Sequence, residues 1–200
     1  QELGKFHLSA KYQIKALRYF EESGDSIRMS QCYNNLARVY YDNHEYQKSI
    51  EYNNKALNIF QEYNYTYGIA TVSGSLALNY EMLGDIERAT IEMEKALQLF
   101  RDINDKSNIA TALLNLGHLN RRLKNNEKGI AYYTESLQYS KEANDQHTYG
   151  ITIANIANML TAEGNYSKAI SYYQEALAIS REFNIQSLMH QAYRGLSELY

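Results

Sequence analysis

The side chains with the most capacity for chemistry in this chain are amides and guanidinium groups that recur at a fixed interval. Asn35, Ser75, Asn115 and Asn155 stand forty residues apart, with Gly195 in the next slot. Three positions further on come Arg38, Leu78, His118 and Asn158, and one helical turn beyond those Tyr41, Glu81, Arg121 and Thr161. A primary amide donates and accepts at once, so a ladder of amides can pair with the main chain of an extended peptide whatever its side chains are. Arg38, Arg121 and Arg122 add guanidinium groups, which hold carboxylates in a bidentate grip and point to an acidic peptide or a chain terminus as ligand. On a helix, Asn115, His118, Arg121 and Arg122 share one stripe. Two plainer readings stand beside this one. The asparagines can be tolerated polar residues on an exposed helix face, and the arginines a solvated charge run that pairs with Glu81 or Glu127.

No catalytic constellation accompanies these groups. His7, His44, His118, His147 and His190 share no metal-ligand spacing, and no glycine-rich phosphate loop is present, so neither a metal nor a cofactor is expected and the chain reads as non-enzymatic. Cys32 shares a column with Val72, Ala112, Thr152 and Ala192, which reads as a packing position instead of a reactive thiol. As the single cysteine it rules out an internal disulfide and favours a reducing, cytoplasmic compartment, while an exported protein whose leader has been cleaved stays open. A net charge of -3 provides no broad basic field, which argues against nucleic acid as the main partner. No apolar stretch reaches the roughly 18 residues that a membrane span needs.

The elements that must carry these groups follow from the same period. Ala-Leu pairs stand at Ala16-Leu17, Ala56-Leu57, Ala96-Leu97 and Ala176-Leu177, with Ser136-Leu137 in the remaining slot. Within each unit, Cys32, Tyr33, Leu36, Ala37 and Tyr40, and their counterparts Val72, Leu76, Ala77 and Tyr80, make one apolar stripe at helical offsets of three and four. Ile50, Ala56, Leu57 and Phe60 make a second. Each unit is therefore a helical hairpin. The column Gly24, Asn64, Asn104, Asn144, Asn184 holds the residue types that best tolerate a left-handed backbone, as a helix C-terminus requires. Gly4, His44, Gly84, Lys124 and Gly164 mark the turn inside each hairpin, and Asp25, Asp105 and Asp145, with Ser26, Thr66 and Ser107 close by, can cap the next helix. Helices of about 16 to 18 residues, roughly 25 Å long, fit between these marks. The absence of proline and the presence of 20 tyrosines suit long helices joined by amphipathic side chains. Tyr12, Tyr52, Tyr132, Tyr133, Tyr172 and Tyr173 are expected to pack between repeats with their hydroxyls reaching solvent.

The order Leu76-Ala77, Tyr80, Gly84, Ala89, Ala96-Leu97, like Ile156-Ala157, Gly164-Asn165-Tyr166, Ala169 and Ala176-Leu177, resembles the tetratricopeptide repeat. The unit is forty residues instead of thirty-four, and Glu21, Gln61, Arg101, Lys141 and Arg181 stand where that pattern has proline, so the second helix can run further. This is similar to the longer class of the repeat found in LGN-type polarity adaptors and in bacterial regulators of the Rap and MalT types. The resemblance implies an all-α fold, a right-handed α-α superhelix of antiparallel helix hairpins forming one array over 1–200. Complete repeats are expected at about 27–66, 67–106, 107–146 and 147–186, preceded by a second helix over 6–22 and followed by a first helix over 187–200. It also implies that first helices line a concave groove into which Asn35, Asn115 and Asn155 point.

The leading expectation is a non-catalytic scaffold that binds a protein or peptide ligand, acidic in character, through Asn35, Arg38, Asn115, His118, Arg121, Arg122, Asn155 and Asn158. Two others follow from the uncapped ends, which suggest a piece of a longer array with Leu17, Phe20 and Leu196 as open apolar surface. One is a sensor segment of a larger bacterial signalling protein. The other is end-to-end self-association.

Overall fold

The computed structural model describes residues 2–200, with side chains from Leu8 onward. The described residues form ten α-helices and no strand: α1 (Glu2–Ser23), α2 (Ser26–Asp42), α3 (Tyr46–Glu62), α4 (Thr66–Met82), α5 (Ile86–Asp102), α6 (Lys106–Arg122), α7 (Asn126–Glu142), α8 (Gln146–Ala162), α9 (Tyr166–Glu182) and α10 (Gln186–Leu199). None is long and apolar enough to cross a membrane.

Each inter-helix turn holds one residue with a left-handed backbone, and these fall every twenty positions. Gly24, Gly84 and Gly164 have φ of 70°, 84° and 78°, and Asn64, Asn104, Asn144 and Asn184 lie between 50° and 55°. His44 and Lys124 adopt 62° and 61° although they carry a Cβ. The reversal closes the helix end: the His44 N–H donates to the Tyr41 carbonyl and the Glu45 N–H to the Tyr40 carbonyl, both at 2.9 Å. Asp25, Asp105 and Asp145 cap the first helices by accepting from the backbone N–H of Arg28, Asn108 and Thr148. Asp85 and Asn125 do the same for second helices. Ser26, Thr66 and Ser107 lie inside the first turn and do not cap, because the N-cap position comes earlier, at Asp25, Tyr65 and Asp105. The turn expected at Gly4 is absent, since α1 starts at Glu2 and continues through it. A glycine inside a helix costs only about 1 kcal/mol relative to alanine, too little to break it by itself.

The chain divides into two compact units, Gln1–Ile103 and Asn104–Tyr200. In the first, α2 packs on α1, α3 and α4, and α4 on α3 and α5. Its core joins Ala56 and Phe60 of α3 to Val72 and Leu76 of α4, with Tyr33, Ile50, Leu57 and Tyr80 packed around them. In the second, α6 packs on α7 and α8, and α8 on α7, α9 and α10. One cluster there combines Ile153, Ala154, Ala176, Leu177, Leu188 and Ala192, and another Ala157, Ala169 and Tyr173. Ser136, standing where other units have alanine, is fully buried, donates to the Ala110 carbonyl at 2.8 Å and lies 3.2 Å from the Thr152 hydroxyl. It ties α7 to both α6 and α8.

Close approach of helices is set by small residues. A Cβ at Gly117 would overlap the Tyr133 ring, and one at Gly195 would overlap the Tyr173 ring. Both tyrosines are buried, at 0% and 1% exposure, so the expectation that their hydroxyls reach solvent is wrong for these two. The glycine opposite each ring lets the aromatic sink to the helix backbone, which draws the hydroxyl inside with it. Tyr12, in contrast, is 61% exposed. Asn53 occupies the position of Met93, Tyr133 and Tyr173 in the first complete hairpin. It is fully buried, and neither its amide nitrogen nor its amide oxygen has a hydrogen-bond partner among the described residues.

A buried unpaired amide costs about 1 to 3 kcal/mol. Asn53→Met is therefore expected to stabilise the protein by about 1 to 3 kcal/mol in urea unfolding, and a loss of stability would show that the amide is satisfied. A second measurement addresses the caps. Burial of the Asp145 carboxyl opposes its charge, but hydrogen bonds from the Thr148 backbone and hydroxyl, with His147 and Ser107 nearby, hold it below the usual carboxylate range. A carboxyl that titrates lower when folded stabilises fully above the ordinary range near 4 and loses that contribution as pH falls through its folded value. Asp145→Ala is expected to cost about 1 kcal/mol at neutral pH. Its deficit against the parent protein should shrink on acidification below pH ~4.

Candidate functional site

The eight residues singled out by type and spacing fall in both units. Asn35 and Arg38 lie on α2, in the first. Asn115, His118, Arg121 and Arg122 lie on α6, and Asn155 and Asn158 on α8, in the second.

On α2 the Asn35 side chain is exposed and donates to Gln13 Oε1 of α1 at 3.5 Å, a long bond. Arg38 is exposed. In the second unit the first helices α6, α8 and α10 touch in series, which puts equivalent positions of neighbouring hairpins side by side. Asn155 Oδ1 accepts from Gln191 Nε2 of α10 at 3.1 Å, so one amide of the ladder is bonded across to the next first helix. That bond occupies the carbonyl oxygen and leaves the Asn155 amide nitrogen available to donate. Asn115, half-buried on α6, has no hydrogen-bond partner among the described residues, and Arg121 two turns along is exposed. His118 and Arg122 already take part in interactions within the fold.

Asn158 has a different environment. Its Oδ1 accepts from the buried Tyr173 hydroxyl of α9 at 2.6 Å, which joins the two helices of one hairpin. Burial raises the Tyr173 hydroxyl above its ordinary titration range, so it remains a donor throughout the neutral range. The helical stripe through 115, 118, 121 and 122 therefore divides into a free amide and an exposed guanidinium, with committed side chains between them.

Gln13 and Gln191, which hold Asn35 and Asn155, escape a reading by columns. Gln191 shares its column with Gln31, Thr71, Thr111 and Ile151, a mixture without a chemical theme. The only signal available was its length, which lets a glutamine reach the adjacent helix. Cys32 is buried and its thiol is pushed up by burial, which disfavours the reactive thiolate and fits the packing position. Among the described residues no group of three or more His, Cys, Asp or Glu could hold a metal ion, and the His7 side chain lies outside the described residues.

The comparisons with known proteins bear on the fold. The tetratricopeptide repeat model matches residues 1–62, 28–102 and 108–182. No curated protein matches the chain. Among solved structures, BtubC (BKLC) from P. vanneervenii is similar with a TM-score of 0.79 and 16% identity over 97% of this chain and 85% of its own. Aspartyl phosphate phosphatase F from Bacillus subtilis is similar with a TM-score of 0.84 and 16% identity, over 98% of this chain and 54% of that one. The Rap conjugation gene regulator of the plasmid pLS20, solved in complex with the Phr* peptide, has a TM-score of 0.73 and 14% identity, over 94% of this chain and 57% of its own. The chain thus spans little more than half the length of the last two.

The Asn158–Tyr173 bond can be weighed by a double-mutant cycle. Asn158→Ala is expected to destabilise the protein by about 1 to 3 kcal/mol because it leaves a buried hydroxyl unpaired, with coupling to Tyr173→Phe of about 0.5 to 1.5 kcal/mol. Asn115→Ala, which breaks no bond, should change stability by less than about 0.5 kcal/mol. Zero coupling in the cycle would mean the bond contributes nothing to the fold.

Proposed function

The chain belongs to the tetratricopeptide repeat family, and on that premise we propose that it is a non-catalytic protein-interaction scaffold that holds a peptide on the wall formed by α6, α8 and α10. The observation that carries this reading is the pair of uncommitted polar groups on that wall, the Asn115 amide and the Arg121 guanidinium, beside an Asn155 whose free nitrogen is aimed by Gln191. Asn115 offers a donor and an acceptor to a peptide unit, and Asn155 offers a donor to a carbonyl one repeat along. Arg121 grips a carboxylate of the ligand, which gives the site its preference for acidic peptides. On the first unit, Asn35 and Arg38 of α2 present the same two chemistries. The peptide held by the Rap regulator of pLS20 supports this mode of use for the fold, although at 14% identity the likeness extends to the fold alone. For the same reason the phosphatase neighbour lends no reaction to this chain.

A second reading, a sensor segment within a longer signalling protein, draws support from the same regulator, of which this chain spans 57%. An effector domain encoded beyond these residues in the full gene would favour it, and further repeats alone would count against it.

For the scaffold, peptides selected from a random display library supply the probe. Asn115→Ala/Asn155→Ala is expected to leave helical content unchanged by circular dichroism and to weaken the selected peptide by about 1 to 3 kcal/mol in calorimetric titration. Unchanged affinity would remove these amides from the site.

A further inference from the structure

The first unit carries a basic groove that the forty-residue pattern does not require. A cavity of about 620 Å³ opens between α1 and the junction of α2 with α3. Lys11, Lys15 and Arg18 of α1 line it from one side and Lys48 of α3 from the other. The lining carboxylate is Glu45, and it is already committed: it accepts from Asn43 at 2.6 Å and pairs with Lys48 at 2.5 Å. Lys11, Lys15 and Arg18 are exposed and pair with no described carboxylate. Ala10, Ile14 and the Tyr40 ring supply an apolar floor, and Tyr40 is held in place by stacking on Tyr52 at 5.2 Å.

Comparison along the repeat shows that this face is specialised. The positions of Lys11, Ile14, Lys15 and Arg18 read Glu51, Asn54, Lys55 and Asn58 in α3 and Ile91, Glu94, Lys95 and Gln98 in α5. In α7 they read Ala131, Thr134, Glu135 and Gln138, and in α9 Ser171, Gln174, Glu175 and Ala178. Only α1 combines three cations with an exposed aliphatic residue, in a chain whose net charge is -3. In the complete hairpins these positions remain wholly or partly exposed, so this is a face that packing against a partner helix leaves open. Nothing in hairpin stacking calls for such a charge.

We propose that this groove is a second binding site, distinct from the α6–α8–α10 wall, and that it takes an extended acidic peptide segment of a partner protein. Along α1, Lys11 and Lys15 are separated by about 6 Å and Lys15 and Arg18 by about 4.5 Å. Alternate side chains of an extended peptide recur every ~6.6 to 6.8 Å on one side. Acidic residues at every second position can thus meet Lys11 and Lys15 in register, with Arg18 taking the flanking carboxylate. An aliphatic or aromatic neighbour in the peptide covers Ile14 and Tyr40. A lone phosphate fills too little of the cavity to use that floor.

The test is fluorescence anisotropy with a fluorescein-labelled ten-residue peptide of alternating Glu and Leu, against the same peptide with Gln for Glu. The acidic peptide is expected to bind at least tenfold more tightly, and to weaken several-fold as salt rises from 50 to 300 mM. Lys11→Glu/Lys15→Glu/Arg18→Glu should lose binding tenfold or more, and the neutral triple Lys11→Gln/Lys15→Gln/Arg18→Gln, a safeguard should charge reversal perturb folding, several-fold. Lys95→Gln, at the position of α5 equivalent to Lys15, should bind within twofold of the parent. Equal binding of the Gln peptide, indifference to both triple variants, a tenfold loss through Lys95→Gln, or full displacement by a few millimolar inorganic phosphate would each overturn the proposal. The last result would mark a simple anion site.

Discussion

Each hairpin rests on the close approach of two helices along a stripe of small side chains. Ala37, Ala77, Gly117 and Ala157 occupy one column, and the three alanines are at 0% or 1% exposure. Where a helix presents so little bulk, its partner can lay a large ring against the backbone, as Tyr133 does on Gly117. The dispersion energy of such contacts falls off within a fraction of an ångström, so the spacing leaves little room for a larger residue. Once that spacing is set, the turns follow. A left-handed residue every twenty positions lets each helix reverse immediately after its last carbonyl, and the next helix returns along the same stripe.

The same economy governs polar groups. Several buried hydroxyls and amides bond back to their own helix, as Ser180 does to the Leu177 carbonyl and Asn120 to the Leu116 carbonyl, while others join helices: Ser136 bridges three of them and Tyr173 binds Asn158. An amide at a repeated position is therefore not automatically a ligand group. Asn158 is spent on the fold and Asn155 is half spent, while Asn115 is not spent at all. What distinguishes them is the neighbour that each happens to meet. Tyr173 can reach Asn158, and Gln191 can reach Asn155.

Tyrosine serves as the complement of the surface cations. Lys48 lies 5.3 Å from the centre of the Tyr40 ring and Arg88 lies 5.0 Å from that of Tyr80, at equivalent places across the hairpin turn. Lys55 over Tyr52 and Lys141 over Tyr149 extend the pattern. Positive charge is in this way drawn onto aromatic faces along much of the array, each contact contributing about 0.5 to 1 kcal/mol at an exposed site. Against that background, cations without an aromatic or acidic partner among the described residues, such as Lys11, Lys15 and Arg18, are those left available to a ligand.

The period of forty, the division of each unit into two helices and the left-handed residue at each turn were legible in the chain alone, because small, apolar and turn-forming residues recur at intervals that only a hairpin repeat explains. Local rules sufficed there: a glycine or asparagine past a helix end and an aspartate before one act on their own few neighbours. Which tyrosines would be buried, and which amides would already be bonded, came only from the tertiary structure. Gly117 opposite Tyr133 and Gln191 opposite Asn155 are partners from different helices, and a column of one-per-repeat residues does not say which side chain lies across from it. The basic groove was hidden for the same reason. Lys11, Lys15 and Arg18 are ordinary surface residues in sequence, and they become a site only when Tyr40 and Lys48, brought in by the next hairpin, close the other side.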